Sequence, residues 1–236
     1  MGDLSDLKRD LGTAAVDRFV QDGMRLGLGT GSTAIWATRR VAERLTEGSL
    51  RGITAVPTSL QTELEARALG IPVVTLNTTS LDGELDLTID GADEVDGAFN
   101  LIKGGGGALL MEKVVAYASR RLVIIVDHTK LVGRLCERSP VPVEVVVDAL
   151  ETVKKRLRGM GGDVSLRIGQ RKAGPVVTDL GNLLLDVTFP RDFDAAEWER
   201  EIKLIPGVLE NGLFTRKTPE LLIGDQSGSL EHRTKT

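Results

Sequence analysis

One cysteine, two histidines and an aromatic content of 3% leave this 236-residue chain poor in the side chains that close disulfides, bind zinc or stack on bases. The lone Cys136 excludes an intrachain disulfide and a cysteine-cluster metal site. It fits a reducing compartment, and the cytoplasm is expected. His128 and His232 stand too far apart in sequence to suggest a zinc cluster, and both His128 and Cys136 read as structural. Positive charge is not in excess: 30 Lys and Arg face 34 Asp and Glu, a formal charge of −4. No global basic field is available for nucleic acid or an anionic membrane, so neither is an expected partner. No apolar run approaches the roughly 20 residues of a membrane span. The start "MGDLSDLKRD" lacks the basic and apolar blocks of a signal peptide, and Asp6 stands where a lipidation signal after Gly2 needs Ser or Thr.

What is present is an ordinary globular balance, 41% hydrophobic and 27% charged, arranged as alternating helix and strand. Leu4, Leu7, Leu11, Ala14 and Ala15 recur at helical spacing, and "MRLGLG" follows as a short buried strand. Helix "STAIWATRRVAERLTEG", strand "ITAVPTS", helix "LQTELEARALG", strands "IPVVTL" and "LDLTID", helix "ALLMEKVVAYASRR" and strand "LVIIVD" continue the pattern. Such alternation predicts an α/β fold, a Rossmann-like mostly parallel sheet whose ligands bind at the strands' carboxyl ends.

After "RSPVPVEVVV" the pattern changes to strand 141–147, helix 149–159, strand 163–168, a hairpin "VVTDLGNLLLDV" and helix 194–204. This β-α-β-β-α-β order predicts a smaller ferredoxin-like α+β domain. The expected limits are 1–136 plus 210–236 for the Rossmann-like catalytic domain and 137–209 for the small one. "ELLIGD" at 220–225 is a further strand returning to the first sheet, and the polar tail "QSGSLEHRTKT" is expected to fray.

Three stretches carry chemistry. "GLGTGSTA" sets glycines between a strand and a helix, followed by Ser32 and Thr33, and unpaired N–H groups with the helix dipole make such a turn a phosphate cradle. The same residues satisfy the dinucleotide pattern G-x-G-x-x-A, but the next strand ends in "PTS" without the ribose-binding acid. No lysine follows as a nucleotide P-loop requires. A structural turn without ligand is the plain alternative. "DGADEVDG" gathers Asp90, Asp93, Glu94 and Asp96, with Asp90 closing a strand; crowded carboxylates push their proton affinities apart, and the plain alternative is a solvated acidic turn. The calcium-loop spacing is absent. In "LIKGGGGALLMEK" four glycines carry an entropic cost that a bend or a close ligand approach explains. Lys103 supplies a cation, and Glu112 is expected about a turn and a half inside the helix among apolar neighbours. A partly desolvated carboxylate is a candidate general base. Lys113 has equally apolar neighbours, so periodicity leaves open which charge faces inward, and a surface pair is the plain alternative. Lys130 in "VDHTK" follows a strand end.

Taken in order, "GTGSTA", "DGADEVDG", "KGGGGALLMEK" and "VDHTK", with "PVPVEV", "VVTDLGNLLLDV" and "IPGVLENGLF", resemble type A ribose-5-phosphate isomerase across nearly the whole chain. The resemblance implies interconversion of ribose 5-phosphate and ribulose 5-phosphate in the non-oxidative pentose phosphate pathway, with no metal and no organic cofactor. It implies Glu112 as the proton-transferring base and Asp90, Asp93 and Lys103 as its polar partners. Thr30, Gly31, Ser32, Thr33, Gly91, Ala92, Gly104, Gly105, Gly106 and Lys130 then match substrate-contacting positions. Met111 stands where relatives often carry a polar residue. The implied partners are a small-molecule sugar phosphate and further copies of the chain, as a homodimer or homotetramer. The competing readings are a non-catalytic sugar-phosphate-binding regulator of related fold, an amino-sugar-phosphate deaminase and a CoA transferase.

Overall fold

The computed structural model describes residues 4–189 and 193–235. The outer ends of the expected 1–136 and 210–236 limits, at residues 1–3 and 236, lie outside the described residues. In chain order the elements are α1 (Leu4–Phe19), β1 (Arg25–Leu28), α2 (Ala34–Thr46), β2 (Thr54–Pro57), α3 (Leu60–Ala68), β3 (Leu85–Asp90), β4 (Glu94–Val95), β5 (Leu101–Ile102), α4 (Leu109–Ala118) and β6 (Ser119–Asp127). Then follow β7 (Val141–Val145), α5 (Leu150–Gly159), β8 (Asp163–Leu166), β9 (Leu183–Thr188), α6 (Ala195–Lys203), β10 (Val208–Asn211), β11 (Leu213–Phe214), β12 (Glu220–Gly224) and β13 (Leu230–Arg233). No helix among the described residues is long and apolar enough to cross a membrane.

The chain forms two compact units. The first comprises Met1–Ala92, Met111–Lys130 and Lys217–Thr236; the second, Asp93–Leu110 and Leu131–Arg216. The first unit is built on a six-stranded sheet ordered β13-β12-β6-β3-β1-β2, in which β12, β6, β3, β1 and β2 run parallel. In β6 and β12 residues 122–126 and 221–223 are unbroken buried runs of Val, Ile and Leu, because a parallel sheet is covered on its faces. In α1, Leu7, Leu11, Ala15 and Phe19 recur every fourth residue, one helical stripe, and pack into the cluster that holds Leu26, Leu28, Leu87, Ile89, Val123 and Ile125. α4 contributes Val115 to a second cluster with Val56, Leu81 and Leu85.

The second unit holds an antiparallel sheet ordered β10-β7-β9-β8 and a three-stranded sheet ordered β11-β5-β4. The β-α-β-β-α-β succession from β7 to β10 is the expected small α+β fold. Val141, Val143 and Val145 point to its core, together with Val153 and Leu157 of α5 and Ile202 of α6.

Several expectations are corrected. The second unit is larger than 137–209: it takes in Asp93–Leu110, residues 131–136 and residues 210–216. The reason is β4, β5 and β11, which pair with one another, while Ile102 and Leu213 join the small domain's core. "IPVVTL" forms only a single parallel bridge, Ala55 to Val73, because Pro72 has no N–H to extend a ladder. The helix at 108–121 stops at Ala118, and Ser119 to Arg121 pair with β3 as the start of β6. The first arm of the 176–187 hairpin is reduced to isolated bridges, and β9 pairs with β8 instead. The tail does not fray as a whole: Leu230–Arg233 pairs antiparallel with β12. Its turn is closed by Asp225, whose carboxylate accepts from the Ser227 and Ser229 N–H groups at 2.8 and 3.0 Å.

Candidate active site

The carboxyl edge of the six-stranded sheet gathers the first unit's expected residues. Parallel register sets Leu28 of β1 beside Pro57 and Ile89, and Asp90 of β3 beside Ile124 of β6. The turns leaving these strands, at 29–33, 58–59, 91–92 and 128–130, therefore share one edge. Chain order reverses between β1 and β3, the crevice where doubly wound sheets bind ligands.

Asp90 is 1% exposed, and its Oδ1 accepts from the Thr30 N–H at 3.1 Å and the Gly91 N–H at 2.7 Å. A Cβ at residue 29 would fall 2.2 Å from Asp90 Oδ1, so the β1 turn must be glycine there. Gly29 of "GLGTG" thus serves first to bring backbone against a buried carboxylate. The Thr30 hydroxyl lies 2.7 Å from Thr58 Oγ1 and donates to Ser59 Oγ at 2.7 Å, with Thr62 Oγ1 at 3.1 Å. Thr58, Ser59 and Thr62 escaped sequence reasoning, although "PTS" at the end of a strand was the signal for Thr58 and Ser59. Lys8 of α1 also escaped: its ammonium donates to Ser32 Oγ at 2.9 Å, beside the start of α2. Thr33 makes no side-chain cap there. No local pattern links Lys8 to a turn 24 residues on.

Glu112 lies in the first turn of α4, not a turn and a half inside it, because the helix begins at Leu109. The open choice between Glu112 and Lys113 resolves as both: they are 5% and 3% exposed, so neither belongs to a surface pair. A carboxylate in a first turn is favoured by the helix dipole. Lys130 ends the single turn His128–Lys130 after β6, where Asp127 Oδ1 accepts the Thr129 N–H at 2.9 Å.

In the second unit, the acids of "DGADEVDG" divide by role. Glu94, 1% exposed, accepts the N–H groups of Arg138 and Ser139 at 2.6 and 2.5 Å. Asp96 accepts those of Ala98 and Asn100 at 2.9 and 2.8 Å. Both are bound into turns. Asp93 Oδ2 instead accepts from the Gly105 N–H at 2.7 Å, which ties the acidic turn to the glycine turn. Lys103 is 2% exposed with its Nζ 5.6 Å from the centre of the Phe214 ring. Gly104 adopts φ of +100°, and a Cβ there would meet Leu109 Cβ at 2.6 Å. Gly105 and Gly106 are exposed.

Buried lysine and carboxylate side chains concentrate electrostatics where the dielectric is low and hydrogen bonds to a charged group are strong. Among the described residues no group of three or more His, Cys, Asp or Glu side chains is gathered to hold a metal ion. The residues present offer proton carriers and cationic donors beside two exposed glycines.

A doubly wound sheet with buried acids at its carboxyl edge, joined to an α+β unit, marks a Rossmann-like α/β enzyme. The model of the ribose 5-phosphate isomerase A (phosphoriboisomerase A) family matches residues 54–228, and the chain belongs to that family. Ribose-5-phosphate isomerase A of Treponema denticola is 45% identical over 236 residues, spanning 97% of this chain and 99% of that protein. The solved structure of ribose 5-phosphate isomerase A from Methanocaldococcus jannaschii matches with a TM-score of 0.92 and 43% identity over 99% of this chain and 100% of that one. A structure of D-ribose-5-phosphate isomerase in complex with phospho-erythronic acid matches with a TM-score of 0.94 and 38% identity, again over 99% and 100%.

Proposed function

We propose that this chain interconverts D-ribose 5-phosphate and D-ribulose 5-phosphate by proton transfer through an enediolate, with Glu112 as the base, in the non-oxidative branch of the pentose phosphate pathway. The observation that carries this reading is a glutamate only 5% exposed in the first turn of the helix that follows the glycine turn. In the open-chain aldose the Glu112 carboxylate takes the proton from C2; the electron pair moves into a C1–C2 double bond and the aldehyde oxygen becomes the oxyanion. Reprotonation at C1 by the same group, with transfer of the O2 proton to O1, leaves the ketose. One base serves both steps, and no oxidant or cofactor is needed.

Lys103 and the Gly106 N–H stabilise the oxyanion as preorganised donors, while the Gly105 N–H is spent on Asp93 and fixes the turn. Asp90 and Asp93, each fixed by backbone N–H groups, exchange protons with sugar hydroxyls during ring opening. Ser32, Thr33, Lys8 and Lys130 take the phosphate, supported by the Lys8–Ser32 contact at the start of α2. Thr30, Gly31, Gly91, Ala92 and Gly104 shape the walls around them. Cys136 takes no part: it is buried, and burial pushes its thiol up from the ordinary range. Its inertness suits the cytoplasm. The working assembly is a homodimer or homotetramer, which light scattering reads directly.

The test is Glu112→Gln. A positioned general base contributes about 10²- to 10⁴-fold, so the variant is expected to lose at least about that factor in kcat with an unchanged circular dichroism spectrum. Near-normal kcat in the folded variant, measured beside wild type, removes Glu112 from the role.

A further inference from the structure

Arg167 follows β8 in the second unit and was singled out by no sequence motif. Its guanidinium meets Asp186 of β9 through two atoms: Nε donates to Oδ2 at 2.9 Å, and Nη2 donates to Oδ1. The remaining nitrogen, Nη1, donates to the Gly104 carbonyl at 3.0 Å and to the Gly105 carbonyl at 3.1 Å. The two side chains are only 17% and 20% exposed. From the other direction, the Gly105 N–H donates to Asp93 Oδ2. The Gly104–Gly105 segment is thus gripped on its carbonyls by a cation and on an amide by an anion.

Four successive glycines have more backbone freedom than any other tetrapeptide, and a turn that presents N–H groups to a reacting oxygen is useful only when that freedom is removed. The planar fork of arginine suits the task, because two donors can be spent on Asp186 while a third is aimed at the loop in a fixed direction. A lysine ammonium at this position has no such fork. We propose that Arg167, oriented by Asp186, is a positioning residue that locks the 104–106 turn in its working conformation. The proposal deepens the isomerase reading and rests on it for the turn's place beside the reacting oxygen. Since Arg167 acts on the turn and not on the phosphate, its loss falls on kcat and leaves phosphate recognition alone.

The experiment compares wild type, Arg167→Met, Arg167→Lys, Arg167→Ala and Asp186→Asn in kcat and KM for ribose 5-phosphate, in inhibition by inorganic phosphate, and in peptide-resolved amide exchange. Misplacing a catalytic element by about 1 Å can cost about 10²-fold, so Arg167→Met is expected to lose about that factor in kcat, with phosphate inhibition within about twofold of wild type. Exchange is expected to accelerate in peptides covering 103–108 and not in those covering 141–145. Arg167→Lys is expected to follow Met rather than wild type, and added guanidinium is expected to restore part of the turnover of Arg167→Ala, where equal sodium chloride does not. Wild-type kcat and loop exchange in Arg167→Lys and Asp186→Asn overturn the proposal, as does exchange rising equally over 141–145. Should Arg167→Met not fold, the Lys and Asn variants decide on the same readings. An inactive wild type refutes the isomerase reading, while the exchange comparison still decides whether Arg167 holds the turn.

Discussion

The two units hold their candidate residues by different means. In the first, Asp90 sits at the end of β3, and its position follows from register: the neighbouring strands β1 and β6 fix it, and the Thr30 and Gly91 N–H groups close on its carboxylate. In the second, the 104–106 turn lies outside any strand and is held by side chains, Asp93 on an amide and the Arg167–Asp186 pair on two carbonyls. Disturbing the first kind of anchoring disturbs the fold as well. Disturbing the second leaves the fold and loosens a loop.

The largest effect that bears on this contrast is expected at Lys103. Removing one preorganised oxyanion donor costs about 10²- to 10³-fold in kcat, and Lys103→Met, which removes the donor proposed above, is expected to show that loss in a steady-state assay. Next comes Gly29→Ala, whose methyl would meet the Asp90 carboxylate at 2.2 Å. Overpacking of this kind costs about 1–3 kcal/mol, so both the unfolding temperature and turnover are expected to fall together. Gly106→Ala is the counterpart in the second unit. Its methyl meets nothing within 4 Å and its φ lies outside the left-handed region. Stability within about 0.5 kcal/mol of wild type is therefore expected in thermal unfolding, and a large loss would break the contrast.

A pair of pH-dependent effects has opposite signs in the two units. Arg25 beside Asp86 holds that carboxyl below its usual range, chiefly through the side-chain hydrogen bonds. The pair therefore stabilises the protein above the unfolded carboxyl's pKa of about 3.9, and the contribution is lost as pH falls below it. Asp86→Asn is expected to lower the unfolding temperature at pH 7 by about 2–4 °C, for about 1 kcal/mol, with the difference vanishing in acid. Glu144 behaves in the reverse sense. Burial pushes its carboxyl up, against the lowering hydrogen bonds from Asn182 and Thr178. Its ionised form burdens the folded state as pH rises above about 4.3. Glu144→Gln keeps an acceptor for both donors and is expected to raise the unfolding temperature at pH 7, by less than Asp86→Asn lowers it, and to have no effect near pH 3.

Legibility followed the same division. Alternating apolar blocks reveal the parallel strands and helices of the first unit, and with them the carboxyl edge that holds Asp90 and the 29–33 turn. The two-residue strands at 94–95, 101–102 and 213–214 are too short for any periodicity, so the boundary of the second unit was misplaced where they pair. β13 reads as a polar tail because its register with β12 is set by the Asp225 turn and not by buried side chains. Within the site, residues adjacent to glycine turns were readable. Lys8, Thr62 and Arg167 were not, since each reaches its turn from 24 to 63 residues away. Glu94 and Asp96 show the converse: conspicuous in sequence, they are absorbed into turns.

The most direct measurement is formation of ribulose 5-phosphate from ribose 5-phosphate by the purified chain in the presence of EDTA, followed by NMR. Conversion to an equilibrium mixture is expected at a rate proportional to protein concentration and unaffected by the chelator. No ribulose 5-phosphate above the protein-free control would contradict the assigned reaction, and product that disappears only with EDTA would contradict its metal-free chemistry.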